Sequence, residues 1–153
     1  MKAFSDARRL LVLLQRRTAV LRRQAQRQRA ELAGVDEDIA GKRRAVEQLK
    51  EKLAHSGYGR QYGRSELMRA RGQQAVMRFE IACRRMEEAD LIERRNQIED
   101  ELAASRKAAL ALEQRQNKHR DWLARERLKH DLLRELLVDA EIMEGKAHGF
   151  NQH

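Results

Sequence analysis

Apolar residues recur at alternating steps of three and four along the first third of the chain. The spacing covers fifteen positions between Phe4 and Leu53, and twelve of them are apolar. A repeat of this length predicts a coiled-coil seam on one long helix, from about residue 3 to 55. Gln28 and Lys42 interrupt the seam, where polar residues commonly fix register or partner choice. The fifteen positions are Phe4, Ala7, Leu11, Leu14, Thr18, Leu21, Ala25, Gln28, Leu32, Val35, Ile39, Lys42, Val46, Leu49 and Leu53.

Three glycines close together end this repeat. They fall between Gly57 and Gly63 and make continued helix costly, which predicts a turn over about residues 56–64. Ser65 is the predicted N-cap of a second helix, from about residue 65 to 144, with Gly145 as its stop and 145–153 as a flexible tail. A short connection joins antiparallel neighbours. The predicted fold is all-α, a single domain over residues 1–153 built as a long antiparallel two-helix coiled-coil hairpin.

The second helix has a weaker seam. Charged residues, among them Arg84, Glu88 and His130, fall on its 3-4 spacing, which predicts shifts of register or bends. Its apolar positions are Leu67, Ala70, Met77, Ile81, Leu91, Ile98, Leu102, Ala109, Leu112, Leu123, Leu133, Leu137 and Ala140. A second phase, Ala75, Phe79, Ala82, Met86 and Ala89, predicts a wider contact between the helices near the hairpin tip.

The C-terminal end of the second helix is predicted to overhang the first. A turn centred near residue 60 would pair Phe4 with about residue 116 and leave roughly 28 residues unpaired, some 40 Å of helix. This end carries apolar residues that the first helix cannot cover, including Trp122, Leu133 and Ile142. We expect a partner protein to cover them, with folding back or self-association as the alternative.

The composition favours long helices over a globular core. Charged residues make up 37% of the chain and aromatic residues 4%, and proline does not occur. Disordered chains share high charge and few aromatics, but they lack a sustained apolar repeat. A two-helix coil also offers no concave interior that would exclude water from reacting groups. We therefore predict a protein without enzyme activity.

Metal and cofactor sites are not expected either. The glycines of the turn lack the lysine and Ser/Thr ending of a phosphate loop. His119 and His130 lie about three helical turns apart, too far to share a metal. The single cysteine, Cys83, excludes an internal disulfide and fits a reducing compartment. Without an apolar run near the ~20 residues that span a bilayer, a cytoplasmic protein with no membrane insertion is predicted.

Basic charge is concentrated in the first thirty residues, which hold nine Lys/Arg against one Asp. A solvated coiled-coil face, a nucleic-acid-binding surface and a docking site for an acidic protein surface are the three interpretations. No aromatics are interleaved for base stacking, and the flanking surface is aliphatic. We therefore favour docking onto a protein and expect no nucleic acid. The paired arginines are Arg8-Arg9, Arg16-Arg17 and Arg22-Arg23.

The chain resembles the stalk proteins of type III secretion, the FliJ/YscO-like family of flagellar and injectisome export machines. The resemblance covers nearly the whole chain and rests on architecture and patterning. It is carried by a length near 150 residues, a basic first helix beginning with Phe4 and Arg8-Arg9-Leu10-Leu11, a turn from Gly57 to Gly63, and a longer second helix.

The resemblance implies a central stalk or coupling protein that promotes protein export. The end with both termini would bind the hexameric secretion ATPase, and the opposite region would bind the cytosolic domain of the export gate. Injectisome members are also associated with export chaperones, and the location implied is the cytoplasm, peripheral to the inner-membrane apparatus. The implied ATPase-binding residues are Arg8, Arg9, Leu11, Arg16, Arg17, Leu128, Leu132 and Leu136. The implied gate-binding residues are Tyr58, Tyr62 and Phe79.

Two alternatives stay open at this point. The first is a general coiled-coil adaptor or export-chaperone escort, and the second is a basic helical nucleic-acid-binding protein. The arginine-rich start favours an injectisome, and thus a virulence role, over a flagellar system. An intramolecular hairpin predicts a monomer in isolation, while dimerisation through the overhang stays open.

Overall fold

The structure consists of two long helices. The computed structural model describes the backbone of residues 2–56 and 61–150 and the side chains of residues 4–56 and 61–145. Helix α1 spans Lys2–His55 and helix α2 spans Arg64–Phe150, and the described residues contain no strand. The two helices pack together, which confirms the predicted all-α two-helix hairpin.

The helix ends differ from the prediction at two places. The backbone N–H of Leu67 donates to the carbonyl of Gly63, and the Glu66 carboxylate accepts from the N–H of Gly63. Gly63 therefore caps α2, and the predicted cap, Ser65, lies inside the helix. At the other end α2 continues to Phe150, so Gly145 is not its stop. A glycine inside a helix costs only about 1 kcal/mol relative to alanine, which the rest of a long helix absorbs.

Packing divides the chain into two compact units. Unit 2 comprises Arg23–Arg106, and unit 1 joins the start of α1, up to Arg22, with α2 from Lys107 onward. In unit 2 the core is a cluster of Val35, Ile39 and Ile98, and Ile98 is fully buried. Its cross-helix ion pairs run antiparallel. They are Lys42–Glu87, Arg43–Glu88, Asp36–Arg95 and Glu31–Arg94.

In unit 1 the two helix segments are also antiparallel. Arg22 pairs with Glu113 at 2.5 Å, and the rings of Phe4 and His130 meet edge to face with centroids 6.2 Å apart. Phe4 therefore lies opposite His130, and the predicted pairing with residue 116 is wrong. We call α2 beyond His130 the overhang; it runs to Phe150, about 30 Å at 1.5 Å per residue.

The connection between the helices explains the difference in pairing. The amide of Gln74 donates to the Ser56 hydroxyl at 3.4 Å. Ser56, the first residue after α1, therefore lies opposite the third turn of α2. The pairing is thus centred on residue 65, midway between these two, and not near residue 60. Moving the centre of the pairing by five residues moves the partner of any α1 residue by ten residues along α2. The partner of Phe4 is His130, which lies slightly further still.

The predicted seam of α1 is confirmed. All fifteen positions are buried or half-buried, and Lys42 reaches across to the Glu87 carboxylate. Its hydrogen bond lowers the pKa of Glu87 below the usual value for a carboxyl. Glu31 in the same way raises the pKa of Arg94. These exposed pairs specify the antiparallel register more than they stabilise it.

The seam of α2 keeps a single phase, so the predicted shifts of register are wrong. Steps of three and four run unbroken from Ala70 to Glu126, and all of these positions except Arg84 are buried or half-buried. The prediction missed the polar members because they carry no apolar signal. These are Gln74, Ser105, Gln116 and His119.

Replacing Gln28 with leucine is expected to stabilise the protein by about 1–2 kcal/mol. Gln28 is 7% exposed, and its Oε1 has no hydrogen-bond partner among the described residues. A buried acceptor without a partner costs about 1–3 kcal/mol, and leucine removes it while filling the same space. Urea unfolding should show the gain, with Gln24→Leu at an exposed position of α1 as the neutral control. A loss of stability on Gln28→Leu would contradict this view of the seam.

Candidate interaction surfaces

A groove opens between the helices at the end of unit 1, with a volume of about 920 Å³. Residues of α1 at steps of three and four share one face of the helix, which places its apolar and basic side chains side by side. Apolar side chains and cations line the groove together, and Asp131 is the carboxylate in the lining. The apolar members are Phe4, Val12 and Leu13, and the cations are Arg8, Arg9, Arg16 and Arg127.

The structure brings together some of the residues implied for ATPase binding. Arg8, Arg9 and Arg16 line the groove, while Arg17 is exposed on α1 outside it. Leu11 is half-buried in the seam and offers little surface to a partner. Val12 and Leu13 occupy the exposed positions beside it, at 44% and 54% exposure.

The overhang is apolar and has no partner within the described residues. Every side chain from Asp131 to Gly145 is exposed. Leu132 and Leu136, two of the residues implied for ATPase binding, lie on it, and the third, Leu128, is exposed just before it. Its other large apolar side chains are Leu133, Leu137, Val138, Ile142 and Met143. The predicted apolar overhang is therefore present, shorter than expected.

A second apolar stripe lies on α2 in unit 2. It runs at steps of three and four, and each of its residues is exposed, with Phe79 and Met86 both at 70%. The predicted wider contact between the helices is therefore wrong, because this face points away from α1. We call it the second stripe. It comprises Met68, Gly72, Ala75, Phe79, Ala82, Met86 and Ala89.

Arginines flank the second stripe at heptad spacing. Arg71, Arg78 and Arg85 each precede a stripe residue by one position, and Arg69 follows Met68. In the described part of the chain none of these four forms an ion pair. Their charges are thus available to an acidic partner. In coiled coils, charged residues that flank an apolar seam set the choice of partner in the same way.

The gate-facing residues implied by the resemblance fall in different environments. Phe79 is at the centre of the second stripe. Tyr62 is half-buried and lines a shallow pocket with Ser56, Glu66 and Ala70. Tyr58 lies outside the described residues. These residues therefore do not form one patch, and the second stripe is the larger exposed surface in unit 2.

Sequence reasoning missed the three residues that α2 contributes to the groove, Arg127, His130 and Asp131. Arg127 and His130 face Phe4 and Arg8 only because of the pairing, which the sequence placed ten or more residues too early.

Within the described residues, acidic, cysteine and histidine side chains form no group that could hold a metal ion. In that same part of the chain, neither helix contains a segment long and apolar enough to cross a membrane.

Comparison with known proteins gives one family. The model of the Salmonella surface presentation of antigen gene type M protein family matches residues 5–145. No curated protein and no solved structure matches the chain. Except for Phe4, the match covers the seams and the groove, and it includes most of the overhang. The chain therefore belongs to the surface presentation of antigen M family, whose proteins are associated with type III secretion.

Proposed function

We propose that this protein is a FliJ/YscO-like stalk that couples the hexameric ATPase of a type III secretion apparatus to its export gate. The observation that carries the proposal is the pairing of a basic, apolar groove with an exposed apolar overhang at one end of unit 1. The role needs no catalytic group of its own. It places the protein in the cytoplasm beside the inner-membrane apparatus.

The ATPase would bind the end of unit 1. Arg8, Arg9 and Arg16 supply charge from α1, and Leu132 and Leu136 supply apolar surface from the overhang. Arginine is among the residue types that contribute most binding energy in protein interfaces, and a large exposed apolar surface marks an interaction site. An acidic surface of the ring would suit the groove, and an apolar surface would cover the leucines of the overhang.

The export gate would bind the second stripe. Phe79 and Met86 provide large apolar anchors, and Ala75, Ala82 and Ala89 let a partner approach closely. This is the pattern by which a helix face fits a groove or another helix. Tyr62 would offer less surface to the gate, because it is half-buried.

A general coiled-coil adaptor or an export-chaperone escort is the second candidate. The second stripe favours it equally, since an exposed apolar face suits a chaperone as well as a gate. It does not by itself account for the groove and overhang in unit 1, which is why we place it second. Nucleic-acid binding has less support, because Val12 and Leu13 and not aromatic residues lie among the groove arginines.

Reversing the groove charges is expected to weaken ATPase binding at least about tenfold while leaving gate binding intact. One variant, which we call the base variant because it changes the end that holds the termini, carries Arg8→Glu, Arg9→Glu, Arg16→Glu and Arg17→Glu. The stripe variant carries the same charge change at Arg69, Arg71, Arg78 and Arg85, and we expect it to lose the gate and keep the ATPase. Co-elution with each purified partner at two salt concentrations, together with the ATPase rate, measures both effects.

The two variants control each other, because both change four exposed arginines on a helix face. Circular dichroism should show equal helix content for both. Unchanged ATPase binding by the base variant would contradict the stalk proposal and leave the adaptor in first place. Loss of both partners by either variant would contradict the assignment of separate surfaces.

A further inference from the structure

We infer that the end of unit 1 also binds a second copy of this chain, each copy laying its overhang in the groove of the other. The occupant is the overhang itself, so the two surfaces satisfy one another. This inference stands on the charges and lengths of unit 1 and does not depend on the proposed stalk function. It goes beyond that function because the dimer covers the surface to which an ATPase would bind.

The overhang and the groove have opposite charge. Asp131 belongs to the groove lining, and between Leu132 and Glu144 the chain holds four carboxylates and one arginine, a net charge of −3. The groove is lined by four arginines and one carboxylate. Both surfaces are also apolar, with Leu132, Leu136 and Met143 exposed on the first and Val12 and Leu13 on the second. An acidic apolar helix is thus the kind of partner that the groove fits.

The lengths agree as well. The stretch from Asp131 to Glu144 has fourteen residues and is about 21 Å long. The basic apolar face of α1 from Phe4 to Val20 has seventeen residues and is about 25 Å long. Val20 is exposed at its far end. One overhang can therefore lie along this face over its whole acidic part.

Beyond Asp131, which lines the groove, the overhang cannot reach its own groove. Helix α2 is continuous from Arg64 to Phe150, so residues after His130 lead away from Phe4 and cannot turn back. A second copy related by a two-fold axis removes this restriction. Each copy then gives one overhang and receives one, which forms a closed, isologous dimer and leaves no surface for further growth.

A charge exchange tests the dimer with the full chain alone. In the overhang variant, Glu135→Lys and Asp139→Lys reverse the charge of the overhang. In the groove variant, Arg8→Glu and Arg16→Glu reverse the charge of the groove. Sedimentation velocity should show a wild-type dimer and at least tenfold weaker self-association of each variant. An equal mixture of the two variants should form a heterodimer with wild-type strength, because one interface has exchanged charges and the other is native.

The control variant, Glu93→Lys and Asp100→Lys, makes the same charge change at exposed positions in unit 2 and should remain a dimer. A wild-type chain that is monomeric at ~100 μM would overturn the inference and leave the overhang for another protein. Failure of the mixture to associate would overturn it too, since the charges would then not pair as described. Neither result bears on ATPase binding, which is measured separately.

Discussion

Replacing Ile98 with aspartate is expected to destabilise unit 2 by about 4 kcal/mol or more, enough to unfold it. Ile98 is 0% exposed and packs with Val35 and Ile39 from α1. Truncating such a residue to alanine costs about 2–5 kcal/mol, and burying a carboxylate without a partner adds to that cost. A coiled coil has few such residues, so the loss of one is a large share of its stability.

Circular dichroism during urea unfolding measures this effect. Val76→Asp is the matched control, because Val76 lies on the same helix in the same unit and is exposed. We expect it to change stability by no more than about 0.5 kcal/mol. Ile98→Val should lie between the two, at about 0.5–1.5 kcal/mol. Equal stability of Ile98→Asp and Val76→Asp would mean that this seam does not hold unit 2 together.

Deleting a single exposed residue, Ala108, is expected to destabilise unit 1 by at least about 3 kcal/mol. The residue itself makes no packing contribution, but its removal rotates everything after it by about 100° around α2. Leu112 and Leu123 then leave the seam, and burial of each is worth about 1.5–3 kcal/mol. The expected effect follows from phase and not from the side chain removed.

Two further variants separate phase from composition. Ala108→Ser keeps the phase and should be close to neutral. Removing the heptad 108–114 keeps the phase to within about 20° and brings Leu133 and Leu137 towards the seam, so it should cost less than the single deletion. Thermal and urea unfolding at a low, fixed protein concentration would compare all three. A tolerated single deletion would mean that α2 can change its register against α1.

The seam of α1 could be predicted because its apolar heptads are nearly complete. The seam of α2 could not be predicted in full. Three of its positions, Ser105, Gln116 and His119, are polar and belong to the seam only because they pack against α1. The second stripe shows the same effect in reverse. Its apolar spacing is as regular as a seam, but a helix with one partner can bury only one face, and Phe79 was left exposed.

The candidate sites depended on pairing, which the sequence does not encode locally. Three glycines predict a turn, but they do not say how far along α2 the chain returns before Ser56 meets Gln74. The groove joins residues that are more than one hundred positions apart, and the position of Arg127 in it depends on the pairing of the two helices. The arginines of α1 can be identified from the sequence, because their clustering does not depend on a partner helix.

The antiparallel pairing has a consequence for how the hairpin opens. Ser56 and Gln74 are 18 positions apart, whereas Phe4 and His130 are 126 apart. Closing the longer loop directly would cost about 1.7 kcal/mol more in chain entropy, so zipping from the turn towards the termini is the easier route. The termini join last and fray first. A partner that binds both helices at this end therefore also holds them together. Its binding raises the stability of the hairpin.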